Sequence, residues 1–394
     1  MALFRSEILN QDFFKAALQE AEKTRNVEIL EITIGDSSST GLQETLPVHI
    51  TATVRGREKV FDWSAKISSS SQAAVELSRE LKLWEKELYL YRELLPSLEL
   101  RSNLVHLECP AHPDLVYSVL SSSSSALLMT DLAMAGFCPA SSSQEVEVEM
   151  LELVVSWLAG LHAHSWAHFN SRLTGEKPPA LMLDSVPLAG RKLSSEESLV
   201  ELVASSQAPH SDYSSRLASL FQTEAYLEMC RKVFGGREGK FCTVCHGAPW
   251  LENCLVWRDG GKVREVVLTN YQQARYCQPA SDLAILLYTA TSKEFRQREL
   301  SRVLRGYHRT LTETLAVLGH NRPDLLYPFS DLFHDYQEAI IPAVGVAVTV
   351  LPGLVKEAAD EVDIGEDRPG LAVGRVVAEK IREMMEELVE TGML

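Results

Sequence analysis

Apolar residues alternate through Val48-His49-Ile50-Thr51-Ala52-Thr53-Val54, the pattern of a strand with one buried face. Gly56 allows a turn, and a second strand follows. In it Phe61, Trp63, Ala65 and Ile67 share one face, while Asp62, Ser64 and Lys66 share the other. Serines 68–71 read as a loop. The period then lengthens: Leu77, Leu81, Trp84, Leu88, Tyr91 and Leu95 recur every three or four residues. That is the stripe of one long helix, which Pro96 is expected to stop. Two more strands are expected over 114–120 and 126–132, flanking the serine run 121–125.

Beyond about residue 143 the pattern is mainly helical. Met150, Val154, Leu158 and Leu161 form one stripe. Leu300, Val303, Tyr307, Leu311, Leu315 and Leu318 form another, closed by Gly319. Val377, Ile381, Met384 and Leu388 mark a last helix. Between 240 and 268, short apolar runs around Gly247 and Gly260-Gly261 read as a small β insert. The acidic positions Glu357, Asp360, Glu361, Asp363, Glu366 and Asp367 read as a solvated connection. The longest uncharged run, 339–355, is shorter than the roughly 20 residues that span a bilayer and contains Pro342, Gly345, Pro352 and Gly353. It reads as a buried helix.

The composition changes the picture in one respect. A formal charge of -16 across 394 residues is a poor match to polyphosphate or to an anionic membrane, which excludes nucleic acid from the expected partners. The first residues, Met1 to Glu7, resemble neither a secretion signal nor a myristoylation site. Seven cysteines, an odd number, read as reduced thiols. The expected location is therefore cytoplasmic. Cys242-Thr243-Val244-Cys245-His246 matches the c-type haem attachment pattern, but covalent haem requires export and an axial partner. His162 and His164 are two apart on a helix and do not face each other, so they read as ordinary helix-end histidines, and no metal is expected.

The informative segment is His246-Gly247-Ala248-Pro249-Trp250-Leu251-Glu252-Asn253. After it come Thr269-Asn270-Tyr271-Gln272 and then Pro279-Ala280-Ser281-Asp282-Leu283. The series resembles the ecdysteroid-kinase-like family, relatives of choline and aminoglycoside kinases on the protein-kinase-like fold. That family's signature is His-Gly-Asp-x-Trp-x-x-Asn, then Asp-Phe-Gln, then Pro-x-x-Asp-Leu. Lys66 looks like the phosphate-pairing lysine of the third strand and Glu87 like its helix partner. The segment 128–132 looks like the connection between lobes, and 161–166 like a family helix end. The resemblance covers roughly residues 27–394. It implies an α+β, bilobed protein-kinase-like fold, with a small β-rich N-lobe (1–137) and a larger, mainly α-helical C-lobe (138–394) forming one unit.

The departures bear on function. In such phosphotransferases the catalytic-loop Asp takes the proton from the attacking hydroxyl, and the Asp of Asp-Phe-Gln holds Mg²⁺. Here those positions are Ala248 and Asn270. No catalytic residue is expected; Lys66, Glu87, Asn253, Gln272 and Asp282 are expected as vestiges of the cofactor site. Glu252 and Asp62 are the candidates for rescue, although four positions separate Glu252 from Ala248. The segment 35–41 is Gly-poor where a phosphate cradle needs close backbone approach, and reads as a Ser-rich hairpin.

The expectation is a pseudokinase repurposed to bind an apolar small molecule such as a steroid, isoprenoid or carotenoid, with no cofactor required. Trp157, Trp166, Trp250 and Tyr271 are the candidate pocket aromatics. The alternatives are an active small-molecule kinase using ATP and Mg²⁺, and a non-catalytic scaffold. A protein partner or a homo-oligomer is left open.

Overall fold

Asn10 starts the first helix, α1 (Gln11–Ala21), by accepting a hydrogen bond from Phe13 N at 2.9 Å. The helix buries Phe13, Phe14, Ala17 and Leu18. These side chains share a core with Val48, Ile50, Trp63, Ala65 and Ile67, the alternating residues recognised in the sequence. In the computed structural model, the described residues are 8–39, 42–121, 124–140, 146–171, 175–183, 219–221, 223–236, 239–361 and 369–394.

The strands of this region are β1 (Val27–Ile34), β2 (Ser38–Ser39), β3 (Gln43–Val54), β4 (Arg57–Ser68), β5 (Leu115–Leu120) and β6 (Ser125–Thr130). They form one antiparallel sheet in the order β1-β3-β4-β6-β5, with β2 also paired to β3. The β3–β4 turn is Arg55-Gly56, both with positive φ (51° and 77°), as a two-residue hairpin turn matching strand twist requires. The Ser-rich segment does act as a hairpin arm, Ser38 and Ser39 pairing with Thr45 and Glu44; Thr40 and Gly41 lie outside the described residues. Strand β6 ends at Thr130 rather than at 132, because Asp131 caps a 3-10 turn by accepting from Ala133 N at 2.9 Å.

The single helix expected to end at Pro96 is broken and longer. It consists of α2 (Gln72–Glu80), α3 (Leu83–Tyr89), a π-helical turn (Leu90–Leu94) and α4 (Leu95–Leu104). Leu81 and Leu83 are both buried, yet residues two apart on a regular helix point about 200° apart. Lys82, left-handed at φ 53°, resolves that conflict. In the π turn Leu95 N reaches Leu90 O, and Pro96, which has no N–H to give, follows as the second residue of α4. Ser97 Oγ donates to Glu93 O at 2.7 Å.

The chain divides into two units, Met1–Ser97 with Ala111–Cys138, and Leu98–Pro110 with Pro139–Leu394. The second is dominated by α5 (Val148–Phe169), α6 (Glu224–Phe234), α7 (Ala280–Ala290), α8 (Lys293–Val317), the short α9 (Pro323–Leu326), α10 (Phe329–Glu361) and α11 (Pro369–Glu390). The predicted stripes are buried apart from the half-buried Leu300: Met150, Val154, Leu158 and Leu161 on α5, and Val303, Tyr307, Leu311 and Leu315 on α8. The uncharged run 339–355 lies within α10. Glu357, Asp360 and Glu361 continue that helix instead of forming a loop; Asp363, Glu366 and Asp367 lie outside the described residues. Among the described residues no helix is long and apolar enough to cross a membrane.

The β insert proves to be two small sheets. One contains β7 (Cys138–Pro139), β9 (Cys254–Asp259) and β10 (Lys262–Leu268); the other pairs β8 (Thr243–Cys245) with β11 (Arg275–Cys277). A β-rich N-terminal region followed by a mainly helical C-terminal region is the bilobed α+β protein-kinase-like architecture.

Candidate active site

In the first unit Lys66 pairs across the sheet with Thr45 and Leu127, on the β4 face opposite Trp63 and Ala65. At Lys66 that face is closed to solvent, where Glu87 of α3 meets it: Lys66 is 3% exposed and Glu87 fully buried. Lys66 Nζ donates to Glu87 Oε2 in a direct ion pair. Burial pulls the Lys66 ammonium below the usual lysine range, and the Glu87 carboxylate offsets part of that shift. Asp62 does not join them. Its Oδ1 engages His49 Nδ1 at 2.7 Å, and four strand residues, ~13 Å, separate it from Lys66.

In the second unit the fixed point is Asp282, fully buried near the start of α7. Oδ2 accepts from His246 N at 2.6 Å and Oδ1 from Gly247 N at 2.9 Å, which clamps the turn carrying the His-Gly-Ala segment. His162 lies 3.1 Å from Oδ2 through Nε2 and 2.8 Å from the Tyr307 hydroxyl through Nδ1. Both contacts are met when Nε2–H donates to the carboxylate and Nδ1 accepts from the phenol. Burial alone would raise the Asp282 carboxyl; the hydrogen bond from His162, the electrostatic influence of the His162 and His246 imidazoles and the Gly247 N–H hold it below the usual carboxylate range. Gly247 has φ +79°, and a Cβ there would overlap the Gln273 carbonyl oxygen. Only glycine fits.

The mapped catalytic positions follow from this turn. Asn253 Nδ2 donates to Ala248 O at 2.9 Å, and Asn253 Oδ1 accepts from Asn270 Nδ2 at 3.0 Å. Thr269 N donates to Asn253 O at 2.9 Å, tying the two loops together a second time. Asn270 is left-handed (φ 68°), a conformation asparagine tolerates. Gln272 is buried in the 3-10 turn that follows. Glu252 sits in the turn Leu251–Asn253, and its charge raises Lys380 of α11, whose ammonium burial otherwise lowers.

His162 is the residue the sequence reading missed. Treated there as a helix-end histidine, it faces Asp282 across 120 positions; its place in the family-like segment 161–166 was the available signal. His162, Cys245 and Asp282 bring ligand-type atoms within 4.8 Å of one another. Those atoms are already committed. Both Asp282 oxygens accept backbone N–H groups, and burial pushes the Cys245 thiol well above its usual range, keeping it protonated and a poor ligand. Cys242 and Cys245 are buried and not disulfide-bonded. Three of the four candidate pocket aromatics pack against other rings. Trp157 stacks on Tyr271 (centroids 6.4 Å), and Trp166 stacks on Phe241 (5.3 Å). Trp250 is buried.

Residues 44–320 match the model of the ecdysteroid kinase-like family. No curated protein matches the chain. Among solved structures, a GDP complex of an aminoglycoside 2'-phosphotransferase-IIIa mutant is 14% identical with a TM-score of 0.40, covering 95% of this chain and 97% of that one. The GDP complex of the wild-type enzyme is also 14% identical, with a TM-score of 0.35 and coverage of 90% and 100%.

Proposed function

We infer that this chain, which belongs to the ecdysteroid kinase-like family, keeps the kinase scaffold without phosphotransfer and acts by binding an apolar small molecule. One observation carries the first half. Asn270 donates to Asn253, and Asn253 to the Ala248 carbonyl, so the three mapped positions close on one another as neutral groups. Phosphoryl transfer needs a group that takes or orients the hydroxyl proton and a metal that neutralises phosphate charge. Ala248 has no titratable atom, and loss of a general base alone costs about 10²–10⁴-fold. Mg²⁺ normally takes at least one carboxylate beside phosphate and water. At these positions it would meet two amides already bonded to each other, a donor set that does not fit it. Glu252, the candidate substitute base, has Lys380 as an electrostatic neighbour. The Lys66–Glu87 pair and the Asp282 clamp are retained, and both serve a scaffold whether or not nucleotide binds.

The ligand class, a steroid, isoprenoid or carotenoid, extends the family description, which names an ecdysteroid and so a steroid skeleton. The packing of Trp157, Trp166 and Tyr271 favours the second reading, a scaffold that binds another protein. Organic extraction of purified protein followed by mass spectrometry separates the two. A stoichiometric lipid supports the first; its repeated absence, with no binding of sterols or carotenoids, supports the second.

A further inference from the structure

A cavity of about 50 Å³ lies in the first unit, where the end of β4, helices α2 and α3, and the β5–β6 turn meet. Trp84, 4% exposed, lines it, and its indole N–H is buried without an acceptor among the described residues. An indole nitrogen can only donate. Ser68 and Ser78, each 4% exposed, and Ser125 at 9% contribute hydroxyls to the same wall. Ser68 Oγ already accepts from Ser125 N at 3.1 Å and keeps its own hydrogen to donate. Arg79, at the end of α2, adds a guanidinium, another group that only donates. Ser121 and Ser124 also border the cavity but hydrogen-bond to each other across the turn. Glu85 alone supplies a carboxylate.

We propose that this cavity is a binding site for a compact oxyanion group, phosphate or carboxylate, held by Arg79, the Trp84 indole N–H and the Ser68, Ser78 and Ser125 hydroxyls. The donors outnumber the acceptors, which selects an acceptor-rich occupant. The volume fits a single small group, roughly the room of a few waters. Trp84 stands one helical turn before Glu87, and Lys66 Nζ lies 5.8 Å from its ring centre. An occupant that fixes the indole therefore also steadies the helix carrying the Lys66–Glu87 pair.

The test is a titration of the full chain, with ¹⁵N-labelled tryptophan, by inorganic phosphate at constant ionic strength. The indole N–H resonance is followed and assigned through Trp84→Phe. The expected result is a saturable shift confined to Trp84 among the six tryptophans, weakened at least about tenfold in Arg79→Gln. Glu85→Gln is expected to tighten binding, and Ser78→Ala to weaken it, which keeps the test decisive if one variant folds poorly. A phosphoserine peptide that binds more tightly than phosphate assigns the oxyanion to a partner protein; equal affinity assigns it to the free ion. No saturable shift with either ligand, or a shift unchanged in Arg79→Gln and Ser78→Ala, overturns the proposal and leaves a water-filled cavity.

Discussion

Asn270 Nδ2 donates to Asn253 Oδ1 at 3.0 Å, joining the two side chains that the mapping assigns to metal binding. A carboxylate at position 270 could not make this bond, because it has no hydrogen to give. Asn270→Asp is therefore expected to open the pair and restore one charged oxygen. In thermal denaturation, wild-type protein is expected to gain nothing from ATP with Mg²⁺ beyond ATP alone, while the variant gains a Mg²⁺-dependent rise in Tm. A Mg²⁺-dependent rise in the wild type would count against the reading.

The Lys66–Glu87 pair supplies a second prediction. Glu87→Leu leaves a buried ammonium without its counter-charge, and breaking such a pair costs about 3–5 kcal/mol. The double variant Lys66→Met/Glu87→Leu is expected to be more stable than Glu87→Leu alone. Urea denaturation of the four proteins in the cycle measures this; additive losses would show that the pair is not coupled.

Gly247→Ala tests the clamp. Positive φ and overlap with the Gln273 carbonyl act together, so a loss of about 3 kcal/mol or more is expected, far above that of an ordinary surface substitution. A loss below about 1 kcal/mol would mean that the turn relaxes without cost.

Asp282 gives a pH dependence. Its carboxyl is held below the usual range in the folded protein, so its contribution is present above the unfolded value of about 3.9. That contribution is lost as pH falls through the lower, folded value. Asp282→Asn is expected to flatten this part of the acid limb. It should also cost stability at neutral pH, since an amide has one acceptor oxygen for the His246 and Gly247 N–H groups. Urea denaturation from pH 7 down to acid measures both; an unchanged acid limb would exclude the carboxylate as its source.

Alternation located Lys66 on the β4 face opposite Trp63, but not the burial of that face, which depends on a helix more than twenty residues away. The helix stripe was legible, yet its breaks were not. Leu81 and Leu83 are both buried because the left-handed Lys82 between them breaks the helix. Motif spacing alone points to positions 248, 253 and 270, while the hydrogen bond between the Asn253 and Asn270 amides arises only when two loops meet. His162 went unread for the same reason, since its partner is Asp282. Tryptophan identity likewise left open whether Trp157 and Trp166 line a pocket or stack on neighbouring rings; here they stack.

The most direct test of catalytic silence is ATP turnover by the purified chain with Mg²⁺ or Mn²⁺, offered steroid, choline-like and aminoglycoside alcohols. The expected result is a rate indistinguishable from that of Lys66→Ala for every acceptor. Phosphorylated product that disappears in Lys66→Ala would contradict the account, because a contaminating kinase would not follow that substitution.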